Sequence, residues 1–335
     1  MLKMKRTVLM LVAGVLLTVS AGCGAASPAT KSLQNVKFSE VIRSIFYAPH
    51  YIAIKKGFFE EEGLKVDMTT AQGSDKGAAA LIAGSADISL IGPETTIYIY
   101  NQKGEKTLKI FDQLTLKDGS FLLSRTKMNG FKWSDLEGKT IVGWRPGSAP
   151  QMVLNSMLKK EKVAKAEVIT NIASPAMAGA FISGKGDFIQ VFEPVASTLV
   201  KEGKAYYVAS LGEGFGPFPE TSYVATANYI KKNPKTIQKF VNAVSKGTKW
   251  LNTASNDEIA DALASFFDGT PRDVIISSIE RYKKQNTWPL DGEFTADHFA
   301  TLQNTLIENG VLKPEQKVAD IHAIADMTFV KKSRK

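Results

Sequence analysis

Cysteine is almost missing from this chain. Its 335 residues contain one, Cys23. A single thiol excludes an internal disulfide, so no covalent staple holds the fold. Because Cys23 lies so near the start, the remainder offers no cysteine nucleophile. Histidine is nearly as scarce. His50, His298 and His322 are the full set, and their spacing matches no metal site. Neither common Gly-rich phosphate loop is present, and there is no Gly-x-Ser-x-Gly elbow. These absences argue against an enzyme, a metal or a cofactor. Blocks of basic residues are also missing apart from the tail Lys331-Lys332-Ser333-Arg334-Lys335. The formal charge of +9 includes Lys3, Lys5 and Arg6, leaving +6 beyond the first segment. That surplus reads as a solvated basic surface, compatible with anionic lipid head groups and not with nucleic-acid binding.

No apolar run is long enough for an ordinary membrane span. The longest candidate, Val8 to Val19, follows Lys3, Lys5 and Arg6 and ends in Ser20-Ala21-Gly22-Cys23. This is the layout of a secretory signal peptide, expected over residues 1–22. A cysteine directly after small residues resembles a bacterial lipobox, with Cys23 as the lipidated residue. Ser20 departs from the aliphatic residue usual at that position. Residues 23–35, small and polar after Cys23, read as a flexible tether.

What the chain does have is a phrase written twice. Leu81-Ile82-Ala83-Gly84-Ser85-Ala86-Asp87-Ile88 precedes Gly92-Pro93-Glu94. One hundred residues later, Phe181-Ile182-Ser183-Gly184-Lys185-Gly186-Asp187-Phe188 precedes Glu193-Pro194. Each reads as a helix end, a Gly turn and a buried strand leading into another helix. Strands and helices alternate around both copies, which implies two doubly wound α/β lobes with a cleft between them. Expected strands include 36–39, 64–70, 86–91, 108–116 and 121–125 in the first unit, and 140–144, 167–171, 188–192, 205–209 and 222–227 in the second. A helix is expected over 51–62, ended by Gly63. From Pro234 the pattern is helical up to a short strand at 328–330. The expected division is lobe one over 36–127 plus 228–335, with the C-terminal helices packed on it, and lobe two over 128–227. The chain then crosses between lobes twice, near 125–132 and 217–230, which makes a hinge.

In open α/β sheets, ligands sit beyond the carboxyl ends of the strands. That rule selects Phe46, Tyr47 and His50 after the first strand, Gln72 and Ser74 after the second, and Glu94 and Thr95 after the third. On the second lobe it selects Arg145, Ser148 and Glu193, with Thr221 in the returning segment. Ser148 opens a helix whose free N–H groups suit an anion, and Arg145 beside it suits a carboxylate or sulfonate. Ser148 reads equally as a plain helix cap. Glu94 and Glu193 stand at near-equivalent places in the two copies, so lobe closure would bring two acids to one amine-bearing or cationic ligand. Each reads equally as an acid in the first turn of its helix. Phe46 and Tyr47 could stack on a flat ring. Core packing also accounts for Phe46, and an ordinary surface position for His50.

Four phrases resemble the periplasmic-binding-protein group that serves ABC importers for nitrate, sulfonates, taurine and the thiamine pyrimidine. They are Ala48-Pro49 to Gly57-Phe58-Phe59-Glu60-Glu61-Glu62-Gly63-Leu64-Lys65-Val66, then Ala80-Leu81 to Asp87-Ile88, Gly138-Lys139-Thr140-Ile141 to Gly147-Ser148, and Ile307-Glu308-Asn309-Gly310-Val311-Leu312-Lys313. The resemblance implies a two-lobed type II periplasmic-binding-protein fold. It implies a monomeric lipoprotein, exported and anchored on the outer face of a bacterial membrane or periplasmic. Such a protein captures an aminopyrimidine, taurine or a sulfonate and hands it to a permease and its ATPase. The other classes are an enzyme resembling the fungal thiamine-pyrimidine synthase and a sensory lipoprotein without a transporter. Pyrimidine-binding relatives use an acid in the region of Glu193.

Overall fold

The computed structural model describes residues 32–333. The signal peptide, the tether up to Lys31 and Cys23 lie outside the described residues. In chain order the first elements are β1 (Gln34–Glu40), α1 (Ala48–Lys55), α2 (Phe58–Glu61), β2 (Leu64–Thr70), α3 (Ser74–Ala83), β3 (Ile88–Ile91), α4 (Glu94–Asn101) and β4 (Leu108–Gln113). Then follow β5 (Phe121–Ser124), β6 (Thr140–Val142), α5 (Ala149–Lys160), β7 (Glu167–Ile169), α6 (Ser174–Ile182), β8 (Phe188–Val191), α7 (Val195–Lys201) and β9 (Tyr206–Ser210). The chain ends with α8 (Leu211–Phe215), β10 (Ser222–Thr226), α9 (Ala227–Lys232), α10 (Pro234–Thr253), α11 (Asn256–Leu263), α12 (Arg272–Lys284), α13 (Ala296–Glu308) and α14 (Thr328–Ser333).

Among the described residues the strands form two five-stranded sheets, ordered β2-β1-β3-β10-β4 and β7-β6-β8-β5-β9. In each, the first three strands in the order run parallel and the fourth is antiparallel to both neighbours. The sheets therefore share one topology, and the repeated phrase sits at the same point of each. β3 and β8 are both fully buried, as strands covered on two faces must be.

The repeated aspartates explain why that phrase recurs. Asp87 accepts a hydrogen bond from the Lys37 amide at 2.9 Å and returns one from its own amide to Lys37 O at 2.8 Å. Asp187 does the same with Thr140, at 2.9 and 2.8 Å. Each clamps the start of one central strand to the parallel strand beside it. The repeat thus fixes sheet geometry, and the loops into the following helices begin at the other end of the same strands.

Two strands sit opposite to their expected lobes. Phe121–Ser124 belongs to the second sheet and Ser222–Thr226 to the first. The crossovers therefore run through 114–120 and 216–221, the first earlier than expected and the second at the start of its expected span. Local pattern identifies a buried strand but not which sheet it joins, and here each sheet receives its antiparallel strand directly from a crossover. On the outgoing pass Gly119 lies flat on Phe46, where an added Cβ would come within 2.4 Å of the ring. A side chain there would have to displace the Phe46 ring.

The C-terminal helices do not pack on lobe one alone. α10 covers α1 and α2, but α12 also packs against α7, and α13 against both α4 and α5. The α12 region straps the hinge. Tyr282 donates to Gly119 O at 2.9 Å and accepts from Glu193 N at 3.1 Å, and Trp288 donates to Phe46 O at 2.8 Å. Two local expectations also change. The helix over 51–62 breaks at Gly57, whose φ of 74° is left-handed. Residues 328–330 start α14, not a strand. No helix among the described residues is long and apolar enough to cross a membrane.

Candidate functional site

A cleft of about 420 Å³ lies where the loops after the parallel strands of both sheets face each other. From the first sheet, Val41 and Ile42 follow β1, Gln72 to Lys76 follow β2, and Gly92 and Glu94 follow β3. From the second, Trp144 and Arg145 follow β6, Ile172 to Pro175 follow β7, and Phe192 follows β8. Ser148 to Pro150 at the start of α5, Met177 of α6, Tyr47 and the crossover residues Glu220 and Thr221 complete the lining. The starts of α3, α4, α5 and α6 all border this space, because in each parallel unit the strand's carboxyl end leads into a helix N-terminus.

Of the residues selected from sequence, Tyr47, Gln72, Ser74, Glu94, Arg145, Ser148 and Thr221 line the cleft. Ser74 is held by the Gly92 amide, which donates to its Oγ at 3.1 Å. Ser148 Oγ donates to Arg145 O at 2.7 Å and does not cap α5 through its side chain. Thr221 Oγ1 lies 2.7 Å from Thr115 Oγ1 of the other crossover. Arg145 pairs with Asp75 of α3 at 3.1 Å, and Tyr98 of α4 donates to Gly147 O at 3.0 Å. These two contacts join the lobes across the cleft mouth.

Phe46, His50, Thr95 and Glu193 do not line this cleft. Phe46 is fully buried between Gly119, Phe192 and Tyr282. His50 lies inside α1, stacked on Phe38 at 4.1 Å, with Nδ1 3.2 Å from Tyr223 OH. Burial pushes its pKa down to about 3, so it is a neutral core residue rather than a surface one. Thr95 is buried within α4.

Glu193 is the sharpest correction, since it and Glu94 do not face one ligand. Its carboxylate is buried and accepts from Ser197 N at 2.8 Å, Ser197 Oγ at 2.9 Å, Tyr207 OH at 2.5 Å and Ser278 Oγ at 3.2 Å. Arg281 lies 3.7 Å away. Glu193 borders an adjoining hollow of about 220 Å³, but its charge is already answered by the protein. The reason is the order of two residues. Glu94 follows Pro93 and opens α4, whereas Glu193 precedes Pro194 and lies outside α7. The side chains therefore leave their turns in different directions.

Glu94 remains as a buried acid on the cleft wall, 1% exposed. Its Oε2 has no hydrogen-bond partner among the described residues. Burial lifts its pKa to about 7. The N–H groups of Glu94 itself and of Ala149, at the start of α5, and the charge of Arg145 hold it from rising further. The helix end that could receive a ligand anion thus already faces a carboxylate of the opposite lobe. Glu220, which pattern reading missed, is 3% exposed and also has an unpartnered Oε2. Burial, Asp118 and Glu94 push its carboxyl well above the usual range. Trp144 and Phe192 were read only as strand residues, yet their rings meet edge to face at 5.1 Å on the cleft wall. Among the described residues the lining has neither histidine nor cysteine, and no His/Cys/Asp/Glu group could hold a metal.

The profile of the NMT1/THI5-like family matches residues 45–256. The chain belongs to that family. A relative from Bacillus subtilis (strain 168), named "Putative binding protein YtlA", is 42% identical over 291 residues, covering 86% of this chain and 87% of its own. Among solved structures, the alkanesulfonate-binding protein SsuA from Xanthomonas axonopodis pv. citri, bound to MOPS, is similar with a TM-score of 0.71 and 17% identity. It covers 87% of this chain and 98% of its own. The periplasmic nitrate-binding protein NrtA from Synechocystis PCC 6803 gives 0.70 and 18%, covering 90% and 88%. At such identities the two structures speak for the fold, which is the two-lobed α/β periplasmic-binding-protein fold.

Proposed function

We propose that this protein is the solute-binding component of an ABC importer, and that its cargo is a small flat organic molecule with an amino or amidine-like edge, of the aminopyrimidine class. Family membership and the two-lobed fold support the transport role. The observation that carries the ligand class is the cleft wall, which holds the aromatic rings of Tyr47, Trp144 and Phe192 together with a buried, unpartnered carboxylate oxygen of Glu94. Nitrate or a simple sulfonate would meet Glu94 across a low-dielectric space while Arg145 is held by Asp75. A zwitterion such as taurine is the second reading, because the α5 N-terminus and Arg145 border the same cleft as Glu94.

Capture is binding without catalysis. The ligand enters between open lobes, and closure about the crossovers is favoured by contacts that exist only when both lobes meet. The closed form then docks on a permease driven by its ATPase. Lipidation at Cys23 would tether the monomer to the outer face of the membrane through the residues that precede β1.

The test is a thermal-shift screen of the chain lacking residues 1–23 against aminopyrimidines, taurine, alkanesulfonates, nitrate and small dicarboxylates. A ligand at roughly one hundred times its Kd stabilises the native state by about 2.7 kcal/mol, a readable shift. A shift with an aminopyrimidine is expected. A shift confined to nitrate or sulfonates would overturn the ligand class.

A further inference from the structure

The two crossovers meet at a pair of buried carboxyl groups. Asp118 belongs to the outgoing pass and Glu220 to the returning one, at 0% and 3% exposure. Asp118 Oδ1 accepts from Ser120 N at 2.7 Å and from Ser120 Oγ at 2.5 Å. Asp118 Oδ2 and Glu220 Oε2 receive no donor from the other described residues. The two carboxyls lie within hydrogen-bond reach of each other. Two carboxylates cannot bond without a proton between them, and two such charges in apolar surroundings repel strongly. Glu94 of α4 faces Glu220, Tyr47 is also near, and the Gly119 amide donates to Glu220. Lys76 and Arg145 are the cations on the same cleft, and Arg145 is engaged by Asp75.

We infer that Asp118, which stands behind the cleft and outside its lining, is a specificity-determining residue. It shares a proton with Glu220, keeps that carboxyl uncharged on the cleft floor, and leaves Glu94 as the acid that a ligand's amino edge meets as a charge. The inference rests on the cleft being the ligand site. Burial raises both carboxyls above their ordinary range, and the two Ser120 donors on Asp118 Oδ1 favour the charge there, so the proton of the pair rests on Glu220. Once Glu94 ionises above about pH 7, the cleft presents one carboxylate to the ligand instead of two. This suits a singly charged or neutral amino heterocycle better than a dication.

The decisive experiment is carbon-13 NMR of aspartate and glutamate carboxyls from pH 5 to 9, in the wild type, Asp118→Asn and Glu220→Gln, the last identifying the Glu220 signal. The wild-type Glu220 signal is expected to stay protonated at pH 7. In Asp118→Asn, ionisation should move down by about one pH unit or more, because the facing charge is gone and an amide donor replaces it. An ionised Glu220 at pH 7 in the wild type, or a titration unmoved by Asp118→Asn, overturns the inference. If Asp118→Asn does not fold, urea unfolding of Glu220→Gln decides. Each carboxyl held protonated lowers the folded-to-unfolded ratio about tenfold per pH unit above its unfolded pKa, and Glu220→Gln should lose one such factor. Equal slopes would overturn the proposal. Calorimetry with 4-amino-5-hydroxymethyl-2-methylpyrimidine tests the cleft reading separately. Failure of the wild type to bind sinks that ligand class, while the carboxyl titration still decides the role of Asp118.

Discussion

The Arg145 guanidinium meets the Asp75 carboxylate 3.1 Å away across the mouth of the cleft, one residue from each lobe. Both side chains remain wet, 40% and 61% exposed. Salt and solvent screen such a pair, so its net worth is below about 1 kcal/mol. It suits a latch that must reopen. Asp75→Asn is expected to leave urea-unfolding stability within about 1 kcal/mol of wild type. Stopped-flow should show faster ligand release in the variant, with a weaker salt dependence than wild type. Identical release rates at low salt would show that the pair does not hold the closed form.

Glu94 ties stability to pH. Its folded pKa of about 7 lies above the ordinary value of 4.5, so the folded state holds a proton that the unfolded state gives up. This contribution is fully present below the unfolded value and is lost as pH rises from about 4.5 through 7. A shift of that size corresponds to up to about 3 kcal/mol. Glu94→Gln should therefore flatten the fall in stability between pH 5 and pH 8 and be the more stable protein at pH 8. Urea titrations at both pH values read it directly.

Glu193 belongs to the scaffold. Removing its carboxylate strands donors from Ser197, Tyr207 and Ser278 and leaves Arg281 without its acid. Glu193→Ala should cost about 3 kcal/mol or more in unfolding free energy. At a temperature where the variant is folded, its ligand affinity should match wild type. A large affinity loss without a stability loss would return Glu193 to the binding site.

The ring wall is the apolar half of the site. Trp144 donates from Nε1 to Gln190 O at 3.1 Å, which orients its ring beside Phe192. Trp144→Ala should weaken binding of a flat ligand at least tenfold, in keeping with the roughly 1–3 kcal/mol attached to stacked aromatic contacts. Calorimetry of both proteins with the same ligand checks it.

The sequence was legible where periodicity and local chemistry act together. The repeated phrase predicts two matched units, and Asp87 and Asp187 do matched work in them. Loops after parallel strands predict the cleft, and Gln72, Ser74, Glu94, Arg145 and Ser148 lie there. What could not be read depends on the path between elements. β5 and β10 exchange sheets, and nothing local marks a strand as joining its own unit or the other. Asp118 and Glu220 lie in irregular crossovers, where no pattern signals that two distant acids meet. Glu193 shows the reverse error. A one-residue shift about a proline turns an acid that looks matched to Glu94 into a buried hydrogen-bond hub.

The most direct test of the account is calorimetric titration of an aminopyrimidine into the wild type and Glu94→Gln at pH 8, where Glu94 is charged. One-to-one binding by the wild type is expected, with a loss of about tenfold or more in the variant, the scale of a hydrogen bond to a charged group. Equal binding by both proteins, or binding of anions alone that strengthens in Glu94→Gln, would contradict it.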